Sequence, residues 1–183
     1  MLIEKNKSTL IIIDVQEKLV SVMPKPHTFI DNIIKLQKAA KVLGIKTVAT
    51  EQYPEGLGKT IEKIMENFVK KKYPLEYGDN RLFPKTEFSS TKYVFNEIQE
   101  HSIICGIEAH VCVLQTAINL AKDKKVYVVQ DAIASRNEKD YLTALSRLDK
   151  HPNIQIVTCE MVLFEWLRTS DHPEFKNISQ LIK

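Results

Sequence analysis

Short, unbroken apolar runs separated by helical patterns constrain this chain more than any other feature. Thr9 to Asp14 (TLIIID), Ile45 to Thr50 (IKTVAT), Ser102 to Cys105, Lys125 to Val129 (KVYVV) and Asn153 to Val157 (NIQIV) have the length of strands. The first of them is continuously apolar up to its closing acid, which calls for cover on both faces, the condition of strands in a parallel sheet between helices. Between them lie segments with apolar residues at helical spacing. Thr28 to Leu43 places Phe29, Ile30, Ile33, Ile34, Leu36, Ala40 and Leu43 on one side and is closed by Gly44. Lys59 to Phe68, Thr91 to Gln99, Asn137 to Lys150 and Met161 to Arg168 read the same way, the third of these with Tyr141, Leu142, Ala144, Leu145 and Leu148 inward. A short strand at Arg81 to Phe83 completes the set. The fold expected is α/β: a single-domain three-layer α-β-α arrangement over residues 1–183, Rossmann-like, its mostly parallel sheet covered on both faces.

Composition removes several functional classes. Lysines are dispersed or grouped at Lys70-Lys71-Lys72 without aromatic or arginine-rich company, and the net charge is only +3, so no nucleic-acid partner is expected. No apolar run approaches the roughly 18 residues of a membrane span. Glu4, Lys5, Asn6 and Lys7 occupy the place of a signal peptide's apolar core, so a cytoplasmic protein without membrane association is expected. Cys105, Cys112 and Cys159 are odd in number and lack CxxC spacing, which favours free thiols over a disulfide framework or a cysteine zinc site.

The stretch from His101 to Asp123 carries the clearest chemical signal. It reads as a buried strand, a glycine turn at Gly106 and a helix whose first turn holds Cys112. Backbone N–H groups and the helix dipole at that position lower a thiol's pKa. Free cysteine is also among the most buried residue types, so the thiol alone does not establish a nucleophile. Asp14 ends the first strand, at the carboxyl edge where open α/β sheets bind ligands, and reads equally as a helix cap. The loop Glu51 to Gly58 lies at the same edge and offers Glu51, Gln52 and Tyr53 to a ligand. Tyr73 to Arg81 is expected to supply a further pocket wall. Lys85 follows Leu82, Phe83 and Pro84, and nothing in its local pattern sets it apart from a solvated lysine.

Four ordered pieces, LIIIDVQ (Leu10 to Gln16), KTEFSS (Lys85 to Ser90), GIEAHVCV (Gly106 to Val113) and VVQDAIASR (Val128 to Arg136), resemble the isochorismatase-like superfamily of cysteine hydrolases. The resemblance covers Leu10 to Trp166 and is greatest to a small branch with TEQYPEGLG after the second strand and a Phe164-Glu165 pair near the end. It implies catalytic roles for Asp14, Lys85 and Cys112. It also implies a non-proline cis peptide at Ile107-Glu108, which sets the Glu108 amide beside the Cys112 amide as an oxyanion hole. Gln16, Gln52, Tyr53, Phe88 and His110 are the residues expected to contact substrate. Nicotinamidases of the superfamily hold a metal with an Asp-x-His pair, where this chain has Glu51-Gln52-Tyr53, so neither metal nor other cofactor is expected. The implied activity is metal-independent hydrolysis of a small amide, carbamoyl or related acyl substrate through a cysteine thioester. Vinyl-ether hydrolysis using Asp14, and an oligomeric binding protein without turnover, stand as alternatives. A homo-oligomer is expected, with Phe164, Trp166, Leu167 and Phe175 as its apolar contacts.

Overall fold

The computed structural model describes residues 1–68 and 81–182; the lysine run at 70–72 and the wall expected from residue 73 up to residue 80 lie outside them. A six-stranded sheet runs β3-β2-β1-β4-β5-β6 with every neighbouring pair parallel. Its strands are β1 (Ser8–Ile13), β2 (Lys46–Gln52), β3 (Arg81–Lys85), β4 (His101–Ile107), β5 (Lys125–Ala134) and β6 (Ile154–Val157). All six residues of β1 and all seven of β4 are buried, as strands covered on both faces must be.

Helices α1 (Glu17–Val20), α2 (Pro26–Leu43), α3 (Pro54–Leu57), α4 (Glu62–Met65), α5 (Thr91–Val94), α6 (Leu114–Leu120), α7 (Glu138–Leu148), α8 (Cys159–Leu167) and α9 (Phe175–Ser179) make the outer layers. On one face of the sheet Phe29, Ile33 and Leu36 of α2 and Val162, Leu163 and Trp166 of α8 pack on Leu10, Ile12, Ile103 and Tyr127. On the other, Ala117 and Leu120 of α6 and Ala144 and Leu148 of α7 pack on Ile11, Ile13, Ile104 and Val128. Gly44 closes α2 in the left-handed region with φ 69°. Among the described residues, no helix is long and apolar enough to cross a membrane.

Several expectations need correction. Gly106 is no turn: it lies within β4, opposite Ile13 of β1 and Ile133 of β5, at φ 116°. β5 continues past Val129 through the polar pair Gln130 and Asp131 to Ala134, because those two side chains lie half-buried at the sheet's carboxyl edge. The segment from Thr91 is one α turn followed by a 3-10 turn over Phe95–Glu97. The helix beginning near Met161 starts at Cys159, with Thr158 as its N-cap accepting from the Met161 amide, and α9 follows it. Leu142 points outward, with Ala144 and Leu148 taking the buried face of α7. Trp166 and Leu167 are core residues, the Trp166 indole donating to Ser8 Oγ at 3.1 Å, so of the apolar contacts expected for an oligomer only Phe164 and Phe175 retain exposed surface.

Candidate active site

Sheet register brings the ends of four strands together. Ile13 stands opposite Thr50 on one side and Gly106 on the other, and Gln52 stands opposite Lys85. Asp14 follows directly on β1 in the left-handed region, φ 51°, a conformation aspartate tolerates better than most residues. Its amide donates to the Thr50 carbonyl and its own carbonyl accepts from Gln16, which fixes the turn. The side chain is left facing Lys85. Lys85 Nζ donates to Asp14 Oδ2 at 2.7 Å, with both side chains fully buried. The Thr50 hydroxyl donates to Asp14 Oδ1 at 2.7 Å. The ammonium also meets Gln52 Oε1 at 2.6 Å and the carbonyls of Glu87 and Phe88 at 3.2 and 3.1 Å. A buried cation needs such a shell of acceptors.

Cys112 arrives from the other side of β1. After β4 the Ile107-Glu108 peptide is cis, and a single π-helical turn over Ala109–Val113 leads into α6. Cys112 is the fourth residue of that turn and is buried, near enough to the Asp14 carboxylate for each group to act on the other's ionisation. The Glu108 carbonyl accepts from the amides of Val111 and Val113, and the Glu108 carboxylate accepts from the Arg136 amide and Nε at 3.0 and 3.1 Å. The turn is thereby tied to the end of β5.

Burial governs the electrostatics. It holds the Asp14 carboxyl above the ordinary carboxylate value, against the opposing pull of Lys85, Thr50 and Cys112. It pushes the Cys112 thiol up to about 12, with the Asp14 charge adding to the rise and Lys85 opposing it. The lowering expected from the helix terminus is therefore reversed, because desolvation of the thiolate and a neighbouring anion outweigh a partial dipole charge. Cys105 is fully buried and raised well above its ordinary value, and Cys159 is raised to about 12, both chiefly by burial. Cys159 also has a carboxylate nearby, in Asp131; Cys112 differs in that its neighbour, Asp14, is paired with a wholly buried lysine.

The remaining residues singled out from sequence fall in different places. Gln16 is wholly buried and its amide is engaged: Nε2 donates to the carbonyls of Gln52 and Gly58, and Oε1 accepts from the Gln52 amide. Gln52 meets Lys85 through Oε1 and the Thr86 carbonyl through Nε2. Glu51 accepts from the amide and hydroxyl of Thr60. Tyr53 and Phe88 are more than half exposed, Tyr53 on the rim of a depression of about 180 Å³ that it shares with Pro84, Lys85 and Tyr93. His110 Nδ1 lies 2.9 Å from Ser135 Oγ, and Ser135 lines a larger cleft of about 450 Å³ between Phe29 and Tyr141. Among the described residues no three His, Cys, Asp or Glu side chains gather as a metal site would require. Thr50, Ser90 and Thr116 escape a sequence reading, since a hydroxyl in a strand or helix carries no pattern of its own. The one available signal was the place of Thr50 at a strand's carboxyl end beside Asp14.

Comparison with known proteins decides the family. A model of the isochorismatase domain matches residues 8–160, most of the chain and all of the residues just described. The chain belongs to the isochorismatase family. Isochorismatase domain-containing protein 2 of Danio rerio is 34% identical over 184 residues, covering 96% of this chain and 86% of the relative. The solved structure of a protein described as the MAR1 ribonuclease of Caenorhabditis elegans superposes with a TM-score of 0.87 at 34% identity, covering 100% of this chain and 92% of that one. The fold also matches the Escherichia coli YcaC protein, described as an octameric hydrolase of unknown specificity, with a TM-score of 0.81 at 21% identity, covering 98% of this chain and 95% of that one. The likeness to the C. elegans protein thus extends over the entire length of this chain.

Proposed function

We propose that this protein is a cysteine hydrolase that cleaves a small amide, carbamoyl or related acyl compound through a thioester on Cys112. The observation that carries the reading is a wholly buried Lys85–Asp14 pair, 2.7 Å apart, placed against a thiol whose proton the carboxylate can accept. Asp14 takes the thiol proton as the sulfur attacks the carbonyl carbon, and Lys85 holds the carboxylate in place. The carbonyl oxygen becomes an oxyanion, assigned to the backbone amides of Glu108 and Cys112. As the tetrahedral intermediate collapses, Asp14 returns the proton to the leaving nitrogen and the C–N bond breaks. Water then attacks the thioester, Asp14 accepts its proton, and the thiol is regenerated with release of the acid. A raised thiol pKa suits this order of events, because the proton leaves sulfur only when an electrophile is present.

The test is a panel of small amides, carbamoyl compounds and esters assayed with wild type, Cys112→Ala and Asp14→Asn. Hydrolysis lost by at least about a hundredfold in both variants is expected. The panel includes RNA, because the C. elegans relative is called a ribonuclease; RNA cleavage that persists in Cys112→Ala would overturn the acyl-transfer reading. A second reading, vinyl-ether hydrolysis with Asp14 as the acid, draws support from the raised Asp14 carboxyl, since a carboxyl that holds its proton is a better acid catalyst near neutrality. Turnover that survives Cys112→Ala and fails in Asp14→Asn would select it.

A further inference from the structure

The Asp14 carboxylate and the Cys112 main chain are joined by a second route that runs through three hydroxyl groups and the Ser90 backbone amide. Thr50 Oγ1 donates to Asp14 Oδ1 at 2.7 Å and lies 3.2 Å from Ser90 Oγ. The Ser90 amide donates to Thr116 Oγ1 at 2.8 Å, and Thr116 Oγ1 donates to the Cys112 carbonyl at 2.6 Å. Thr50, Ser90 and Thr116 are all essentially inaccessible to solvent. They come from three separate elements: the end of β2, the residue preceding α5, and α6.

Proton counting fixes the direction of the chain. An ionised carboxylate only accepts, so the single Thr50 proton goes to Asp14 and the Ser90 hydroxyl must supply the proton shared between Ser90 and Thr50. Thr116 spends its one proton on the Cys112 carbonyl and receives the Ser90 amide. Each hydroxyl therefore has one orientation, and a buried hydroxyl deprived of its partner is costly. With Oδ1 engaged by Thr50 and Oδ2 by Lys85, the carboxylate cannot turn freely. The same chain grips the π turn at the residue that bears the thiol.

We propose that Thr50, Ser90 and Thr116 are positioning residues that set the Asp14 carboxylate against the Cys112 turn for proton transfer. The proposal deepens the cysteine hydrolase reading and rests on it. Neither Thr50 nor Ser90 touches the thiol; they act through Asp14. Because Thr50's hydrogen bond favours the ionised carboxylate, its loss moves the ionisation of Asp14 to higher pH.

The experiment follows modification of Cys112 by acrylamide, read by intact mass, as a second-order rate across pH for wild type, Thr50→Val, Thr50→Ser, Ser90→Ala and Asp14→Asn. Thr50→Val is expected to slow modification by roughly 10- to 100-fold near neutrality and to displace the acid limb of the profile upward. Thr50→Ser, which keeps the hydroxyl, restores most of the rate and the position of the limb. A merely structural role would lower the melting temperature without moving the profile. Should Thr50→Val not fold, Ser90→Ala carries the same readout: an upward limb supports the proposal and an unmoved limb overturns it. A slow Asp14→Asn beside a Thr50→Val indistinguishable from wild type overturns the hydroxyl chain alone. An unaffected Asp14→Asn overturns the role of Asp14, and the chain's role with it.

Discussion

At the scale of single residues, burial governs the ionisation of both Asp14 and Cys112. Both groups are pushed toward their neutral forms, and Lys85 is the group that keeps Asp14 available as an anion. Removing Lys85 leaves a carboxylate in the interior with only the Thr50 hydroxyl as a charged-form partner among protein side chains apart from the thiol. Lys85→Met is therefore expected to cost about 3–5 kcal/mol at neutral pH, measured by urea denaturation. The pH dependence of that loss has a definite sign. A carboxyl held above its ordinary value binds its proton more tightly in the folded state, so its contribution is complete below the unfolded pKa and is lost as pH rises through the folded one. The gap between Lys85→Met and wild type should narrow as the pH falls below neutrality and Asp14 takes up its proton, and a gap that widens on acidification would show that Asp14 is not the group left exposed to the deficit. The local sequence could not reveal Lys85 because its function depends on Asp14, 71 residues away in the chain. Asp14 and Cys112 were visible as candidates from their places at a strand end and a helix start. The direction of the thiol's shift was not, since it depends on how deeply the turn is packed.

At the scale of elements, β4 and the turn after it place Cys112, and Gly106 is the position where that placement is tightest. A Cβ at Gly106 would sit 2.1 Å from the Ile13 carbonyl oxygen and 2.6 Å from the Ile13 nitrogen, on a backbone at φ 116°. Both obstacles are main chain and cannot swing aside. Gly106→Ala is expected to cost at least about 3 kcal/mol, a fall in melting temperature of roughly 6–12 °C. It should also slow acrylamide modification of Cys112, because the shift falls on the residue preceding Asp14. An unchanged melting temperature would contradict the close approach of β1 and β4. The strands themselves were legible because continuous apolar runs report burial on two faces, and α2 because its spacing and Gly44 agree. The register that makes Gly106 a strand residue was not, since glycine in sequence signals a turn as readily as a close backbone contact. The π turn was likewise hidden: its residues do not differ in type from those of an α-helix.

At the scale of the whole molecule, the order β3-β2-β1-β4-β5-β6 reverses its progression between β1 and β4, and ligand sites of open α/β sheets form at such a switch. Asp14 leaves β1 on one side of it and the Cys112 turn leaves β4 on the other, while Lys85 reaches across from the far edge of β2. The family was readable from four ordered segments because each sits at a carboxyl edge or in the turn beyond it, and the sheet from strands alternating with helical segments. The hydroxyl chain that unites the edge was unreadable, since it joins β2, α5 and α6 only after folding. The claim that Asp14, Lys85 and Cys112 act as one unit is met most directly by acid-quenched peptide mass spectrometry during turnover of an amide the protein hydrolyses. The expected result is an acyl mass on the peptide bearing Cys112 in wild type, absent in Asp14→Asn. Product accumulating without any acyl adduct, at an equal rate in Cys112→Ala, would contradict it.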